Sequence, residues 1–273
     1  MRHDFPQPVT EAIRQAADRL RDAGERRRAC APVRDLIGAD NAQAAYAVQD
    51  LLAQERVAAG ATVAGRKIGL TSPAVQRQLG VDQPDFGVLF ADMECPTGDL
   101  PTDDLLQPKV EAEIAFVLAQ DLIDGELDVA QVRDAVAYAT AALEIVDSRI
   151  IDWDITFADT VADNGSSAKY VLGADRVTLD GFEPKETQMR MTLDGQEVST
   201  GTGAACLGDP LAALSWLART ARDFGSPLRA GQVVLSGALG PIAAVHAGNV
   251  VSATVSGLGE VTARFGTTQE EAR

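Results

Sequence analysis

Hydrophobic residues recur at helical spacing in two early stretches of the chain. Apolar side chains at every third or fourth position predict an amphipathic helix over residues 10–23, which Gly24 would end. A second helix is predicted over residues 40–60, beginning at Asp40 with Gln43 three residues later. We therefore expect residues 1–62 to form a helical N-terminal module.

Beyond residue 62 the pattern changes to short apolar runs separated by Gly, Pro and Asp. Such runs predict strands at residues 110–118, 189–193, Val233–Leu235 and Val250–Val255. Asp194 and Gly195 predict a tight hairpin turn, because both positions of such a turn favour positive φ. Helices are predicted at residues 132–142 and 211–222, the second capped by Asp209. The pattern favours an α+β protein with a β-rich core over residues 63–266 and a disordered tail over residues 267–273.

The charge balance limits the kinds of partner. The chain has 273 residues with 40 acidic and 24 basic side chains, and the resulting net charge of −16 argues against nucleic acid and anionic membranes. No apolar run approaches the ~20 residues that a membrane-spanning helix needs. Small molecules and metal ions remain as partners.

Cysteine and histidine are scarce. Cys30, Cys95 and Cys206 are odd in number and lack metal-binding spacing, so we expect neither disulfides nor a zinc site, and a reducing cytoplasm fits best. His3 and His246 are the only histidines, which makes a Ser–His–Asp triad or a zinc site with several histidines hard to build.

Carboxylates are the most informative polar residues. Glu111 and Glu113 point out of one face of the predicted strand 110–118, where a solvated sheet face and a Mg²⁺ or Mn²⁺ site are both reasonable explanations. Glu144 is flanked by aliphatic residues and is expected to be buried, so it should be protonated, paired or bound to metal. The three glutamates would leave open positions on an ion for a chelating substrate. Alternatively, Glu144 forms an internal salt bridge with Arg149 or Lys109.

Four predicted loops carry further candidates. Lys67 lies between two glycines, which allow a ligand to approach the backbone closely. Asp85 lies between Pro84 and Gly87, either as a local backbone cap or as an acid–base group. Residues 163–167 form a polar loop after a predicted strand at 155–161. Residues 237–241 either form a tight bend or bring backbone N–H groups or Leu239 onto a ligand.

Six segments, in the same order along the chain, resemble a known family. They are residues 65–71, 78–87, 109–115, 147–153, 159–164 and 237–241. These segments are similar to the 2-keto-4-pentenoate hydratases, in the hydratase/decarboxylase branch of the fumarylacetoacetase-like superfamily. The resemblance implies a helical N-terminal part on a rolled, mixed β-sheet core, assembled as a homo-oligomer that is a pentamer or decamer.

The resemblance also implies a site that holds Mg²⁺ or Mn²⁺. The family's residues fall on Glu111, Glu113 and Glu144 as metal ligands, Lys67 and Asp85 as catalytic residues, and Ser166 and Leu239 as substrate-binding residues. One departure is Gly165, which stands where the family has alanine.

The activity that the resemblance implies is addition of water to 2-hydroxypenta-2,4-dienoate, which gives 4-hydroxy-2-oxopentanoate in the breakdown of aromatic compounds. A complex with a neighbouring enzyme of that breakdown is also possible. Two alternatives stay open. One is the sister decarboxylase acting on 4-oxalocrotonate, and the other is a catalytically silent scaffold that binds a partner protein.

Overall fold

Three helices open the chain in the computed structural model, which describes residues 8–72, 76 and 83–266. They are α1 (Glu11–Glu25), α2 (Arg34–Ile37) and α3 (Ala42–Ala58). The side chains of Thr10 and Asn41 cap α1 and α3 by accepting a hydrogen bond from a backbone N–H three residues later. Both predicted helices are confirmed, although the second is capped by Asn41 instead of Asp40. The short helix α2 was not predicted.

Twelve strands and three more helices follow in the described part of the chain. The helices are α4 (Val129–Asp134), α5 (Phe157–Ala162) and α6 (Pro210–Asp223). The strands are β1 (Val63–Gly69), β2 (Asp85–Phe90), β3 (Asp99–Leu100), β4 (Lys109–Leu118), β5 (Val136–Val146), β6 (Ser167–Leu172), β7 (Gln188–Leu193), β8 (Gln196–Thr202), β9 (Val233–Leu235), β10 (Ala243–Ala244), β11 (Val250–Val255) and β12 (Gly259–Phe265).

The strands form two sheets. The seven-stranded sheet has the order β2-β1-β9-β4-β5-β6, with β10 also paired to β4, and the five-stranded sheet has the order β3-β12-β11-β7-β8. β1 runs parallel to β9 and β3 runs parallel to β12, whereas the other pairs are antiparallel. These mixed sheets with packed helices confirm the predicted α+β class.

Two local predictions in the middle of the chain were wrong. The predicted helix 132–142 ends at Asp134, and the alanine-rich residues after it form β5. β5 pairs with β4 along nearly its whole length and is buried there, and this tertiary pairing outweighs the helix propensity of alanine. The predicted strand 155–161 is instead α5, which begins with a capping box between Thr156 and Asp159.

Other predictions are confirmed. β7 and β8 form a hairpin whose turn residues, Asp194 and Gly195, have φ of 50° and 80°. Asp209 caps α6 by accepting a hydrogen bond from the Leu211 N–H at 2.8 Å. All three cysteines are free thiols. The predicted disordered tail lies outside the described residues.

The N-terminal helices share one core with the sheets. Buried residues of the helices, such as Leu20 and Val48, belong to the same hydrophobic cluster as Ile114 of β4 and Leu143 of β5. A second, smaller cluster includes Ala115, Ala142 and Tyr170. Because Ala115 and Ala142 alternate with members of the first cluster, the second cluster lies on the opposite face of the seven-stranded sheet. The division at residue 62 stays a prediction.

Within the described ranges, none of the helices combines the length and apolar composition that a membrane crossing requires.

Candidate active site

Three glutamates meet on one face of the seven-stranded sheet. β4 and β5 are antiparallel, with Glu111 directly opposite Glu144 and Glu113 opposite Ala142, so the three side chains project from the same face. One carboxylate oxygen from each glutamate lies within 4.8 Å of those of the other two. Among the residues that the structure describes, no other cluster of three or more His, Cys, Asp or Glu side chains has such spacing.

The surroundings of these carboxylates suit a divalent cation. Glu113 and Glu144 are fully buried, whereas Glu111 is partly exposed. Oε1 of Glu113 and both oxygens of Glu144 accept no hydrogen bond. Leaving buried carboxylate oxygens without donors is costly, and Mg²⁺ or Mn²⁺ would satisfy them because both prefer oxygen ligands. The three residues therefore fit the predicted metal.

Burial also changes the protonation of the cluster. It raises the pKa of Glu111 to about 7, and the charge of Glu144 acts in the same direction. Burial and the charge of Glu144 likewise raise the pKa of Glu113 well above its usual range. Burial raises the pKa of Glu144, although Lys67 opposes this. The glutamates therefore hold protons more tightly than ordinary carboxylates, and a bound cation would displace those protons.

Lys67 lies beside the cluster on β1. Its Nζ is 3.4 Å from Oε2 of Glu144, and its side chain is only 3% exposed. Burial lowers the pKa of Lys67, but the charges of Glu144 and Asp85 outweigh burial, so the net pKa is raised. The predicted glycine-flanked loop is wrong, because Lys67 is within a strand that pairs with both β2 and β9.

Asp85 reaches the same place from β2. It opens that strand opposite Gly69, so the predicted loop position is also wrong. A Cβ atom on Gly69 would lie 2.1 Å from Oδ1 of Asp85 and 3.1 Å from Nζ of Lys67, which places both groups on one side of this glycine. Oδ1 of Asp85 is buried and accepts no hydrogen bond. Burial raises the pKa of Asp85, and Lys67 opposes that rise.

Ser166 belongs to a short turn before β6. It is buried, and its hydroxyl donates a hydrogen bond to Oδ2 of Asp163 at 3.1 Å. The turn contacts Lys67 through Gly165, since a Cβ there would lie 3.2 Å from Cδ of the lysine. The role of Ser166 toward substrate stays a prediction.

The segment 237–241 reaches the cluster through its backbone. The N–H of Gly237 donates to Oε2 of Glu113 at 2.7 Å. Leu239 is fully buried, and its N–H donates to the carbonyl of Ala112 at 3.0 Å. Its predicted contact with substrate stays a prediction.

The alternative salt-bridge partners of Glu144 were wrong. Arg149 pairs instead with Asp163 at 2.8 Å, and Nζ of Lys109 lies 4.0 Å from the centre of the Trp153 ring. Sequence reasoning named residues 163–167 and 237–241 as candidate loops, but it did not predict that Asp163 pairs with Arg149 or that the Gly237 N–H donates to Glu113. Residues 113 and 237 are 124 positions apart, and no local pattern signals their contact.

Comparison with known proteins shows to which family the chain belongs. The model of the fumarylacetoacetate (FAA) hydrolase C-terminal family matches residues 82–266. The TodF product hydratase of Pseudomonas putida F1 is 53% identical over 257 residues, which cover 94% of this chain and 96% of that protein. A 2-keto-4-pentenoate hydratase of Burkholderia vietnamiensis is 52% identical over 255 residues, or 93% of this chain and 97% of that protein.

A solved structure is also similar along nearly the whole chain. The 4-oxalocrotonate decarboxylase from Pseudomonas putida G7, complexed with magnesium and adipate, has a TM-score of 0.90 at 29% identity and covers 95% of this chain and 100% of its own. The chain therefore belongs to the fumarylacetoacetate hydrolase family, as a relative of the 2-keto-4-pentenoate hydratases.

Proposed function

We propose that this protein is a Mg²⁺- or Mn²⁺-dependent hydratase that adds water to 2-hydroxypenta-2,4-dienoate and releases 4-hydroxy-2-oxopentanoate. The observation that carries the proposal is the cluster of three glutamates beside Lys67, in which buried carboxylate oxygens lack donors. The chain shares about half of its residues with proteins named as such hydratases, which supports this substrate class.

Glu111, Glu113 and Glu144 would hold the ion. When bound, the ion supplies Lewis-acid chemistry, since it polarises a carbonyl oxygen and offsets the charge of a carboxylate. The three glutamates and Asp85 carry four negative charges when ionised, against one positive charge on Lys67. A divalent cation leaves one negative charge, and a protonated Asp85 makes the site neutral before an anionic substrate arrives. The raised pKa of Asp85 favours that protonated form.

We assign the proton transfers to Lys67 and Asp85 acting together. The reaction needs a proton at C5 of the dienol while the 2-hydroxyl loses one, and this step gives 2-oxopent-3-enoate. The oxygen of water then bonds to C4, and one hydrogen of that water ends on C3. Asp85 is suited to give a proton and take one back, because burial brings its two protonation states closer in energy. Lys67 keeps an ammonium beside Asp85 and Glu144 that balances their charge.

The test is turnover of freshly prepared 2-hydroxypenta-2,4-dienoate by the purified protein. Loss of dienol absorbance should require Mg²⁺ or Mn²⁺, cease after treatment with EDTA and return when metal is added back. Full activity in EDTA would overturn the metal dependence, and an inert metal-loaded protein would instead favour the silent scaffold.

A second candidate is decarboxylation of 4-oxalocrotonate. It is favoured by the TM-score of 0.90 to the decarboxylase, although that protein is only 29% identical. Each substrate should be supplied in parallel while dienol absorbance and released CO₂ are recorded. CO₂ release from 4-oxalocrotonate that is faster than hydration of the dienoate would reverse our assignment.

The remaining expectations concern the cellular setting. We propose a cytoplasmic homo-oligomer, a pentamer or decamer, that works in aromatic catabolism and contacts a neighbouring enzyme. The support for this proposal is the match to two hydratases over 96% and 97% of their length. Light scattering on the purified protein gives the number of subunits and would contradict the proposal if it reported a monomer.

A further inference from the structure

A left-handed turn lies next to the candidate active site. Three consecutive residues, Asn164, Gly165 and Ser166, have φ of 60°, 61° and 53°. The left-handed region costs a residue other than glycine roughly 1–2 kcal/mol. Such a conformation persists only where the surroundings hold it, and it is concentrated at functional sites.

Side chains on both ends of the turn hold it in place. Oδ1 of Asn164 accepts a hydrogen bond from the Val88 N–H at 2.7 Å, and its Nδ2 donates to the Val88 carbonyl at 2.9 Å. The hydroxyl of Ser166 donates to Asp163, and the carbonyl of Ser166 accepts from the Asp147 N–H at 2.7 Å. The turn is therefore fixed to β2 at one end and to the end of β5 at the other.

Asp163 is the buried anchor of this arrangement. Its Oδ1 accepts from Nη1 of Arg149 at 2.8 Å, and its Oδ2 accepts from the Arg149 N–H at 3.0 Å and from the Ser148 hydroxyl at 3.2 Å. Asp163 is fully buried, so this charge depends on its donors. None of these contacts touches the three glutamates, and the anchor thus acts on the site only through the turn.

The turn packs against the stem of Lys67. A Cβ on Gly165 would lie 3.2 Å from Cδ of the lysine and 3.4 Å from both Cε and Nζ. A Cβ on Gly87 would lie 3.2 Å from the same Cδ, and one on Gly69 would lie 3.1 Å from Nζ. We call these three glycines the lysine sleeve. A free lysine has about 2 kcal/mol of rotamer entropy, and close packing of the sleeve against the stem opposes that freedom.

We propose that the left-handed turn, anchored by Asp163 and Asn164, is a positioning device that holds the Lys67 ammonium against Glu144 and Asp85. The inference rests on the proposed function for its consequence, which is turnover. If Lys67 could move, its ammonium would no longer balance the negative charges of these two carboxylates. Its protons would also no longer lie beside Asp85. Asp163 and Asn164 are positioning residues, because they act on the reaction through Lys67.

The first test measures the position of Lys67 without any substrate. The chain has four lysines, Lys67, Lys109, Lys169 and Lys185, which mass spectrometry can follow separately during acetylation. In EDTA-treated wild-type protein, Lys67 should react far more slowly than the exposed Lys185. Gly165→Val should raise the ratio of the two rates about tenfold, since a β-branched side chain is strained at this φ and its methyl groups displace the stem.

The second test is a double-mutant cycle on turnover. Gly165→Val should lower kcat about 100-fold, the cost of a small misplacement of a catalytic group, while KM and the dissociation constant of Mn²⁺ change less than about threefold. In a Lys67→Ala background, Gly165→Val should have no further effect on the residual kcat, because the group that the turn positions is absent.

Gly257→Val is the matched control. Gly257 also has positive φ, 82°, and a Cβ there would lie 2.8 Å from the Phe182 ring. It should lose comparable thermal stability without changing kcat or the acetylation ratio of Lys67. An unchanged acetylation ratio in Gly165→Val overturns the proposal. An equal loss of kcat in both lysine backgrounds overturns it as well. If the wild-type protein fails to turn over the dienoate, the proposed function fails, and the acetylation result still decides the role of the turn.

Discussion

Replacing Glu111 with Gln is expected to stabilise the metal-free protein at pH 8 while it abolishes metal-dependent turnover. The substitution keeps the size of the side chain and removes its charge. Glu111 is one of three clustered carboxylates, and it lies directly opposite Glu144 on the neighbouring strand. Without a cation, the ionised forms of these two residues repel one another in a largely buried place.

The magnitude follows from the pKa of Glu111. Burial raises it from 4.5 to about 7, so between these pH values the folded protein binds a proton more tightly than the unfolded chain does. The stability that this group contributes is therefore fully present below about pH 4.5 and is lost as the pH rises through 7. The difference corresponds to at most about 3 kcal/mol, and partial exposure of Glu111 reduces it to about 1–2 kcal/mol. Glutamine has no proton to lose and avoids this cost.

Urea unfolding in EDTA at pH 5 and pH 8 measures the effect, at matched protein concentration. Glu111→Gln should be more stable than wild type at pH 8 and nearly equal to it at pH 5. Calorimetric titration should show Mn²⁺ binding at least about 100-fold weaker. Glu186→Gln, on an exposed side chain, is the control and should change neither quantity. A Glu111→Gln protein that is less stable than wild type at pH 8 in EDTA would refute this reasoning.

Three further predictions concern the same region. The affinity of the wild-type protein for Mg²⁺ should rise between pH 6 and pH 8 with release of protons, because the pKa of Glu111 is about 7. Calorimetric titration in buffers of different ionisation enthalpy detects the released protons. An affinity that does not change with pH would contradict this prediction. Gly69→Ala places a Cβ 2.1 Å from Oδ1 of Asp85 and should lower kcat at least about tenfold with unchanged Mn²⁺ affinity. A fully active variant would argue against a catalytic role of Asp85. Arg149→Met leaves Asp163 buried without its cation and should lower the free energy of unfolding by about 3–5 kcal/mol, measured by urea unfolding. A loss below about 1 kcal/mol would show that the pair is dispensable for stability.

Local patterns predicted much of the fold. The alternation of β4, the Asp194 and Gly195 turn and the Asp209 cap each depend on neighbouring residues, and each was recovered from the sequence. β5 was missed because alanine favours a helix locally. The strand conformation of β5 depends on pairing with β4 and β6, which the residues of β5 alone do not reveal.

The candidate site divides in the same way. The resemblance to a family identified the glutamates, Lys67 and Asp85, and the structure brings these five residues together. The residues that it did not identify act through tertiary contacts. Asp163 joins the site by pairing with Arg149 and by holding a left-handed turn, and the residue types of that turn do not show which distant strand it contacts.

The hydrogen bond from the Gly237 N–H to Glu113 spans 124 positions of the chain. During synthesis, the segment after β9 must therefore leave the ribosome before all the contacts around the glutamates can form. Until then β4 lacks its partner strand β9, and Oε2 of Glu113 lacks its backbone donor. We therefore expect metal capture to follow completion of the sheet, and a chain truncated before β9 should bind Mn²⁺ more weakly than the full protein does.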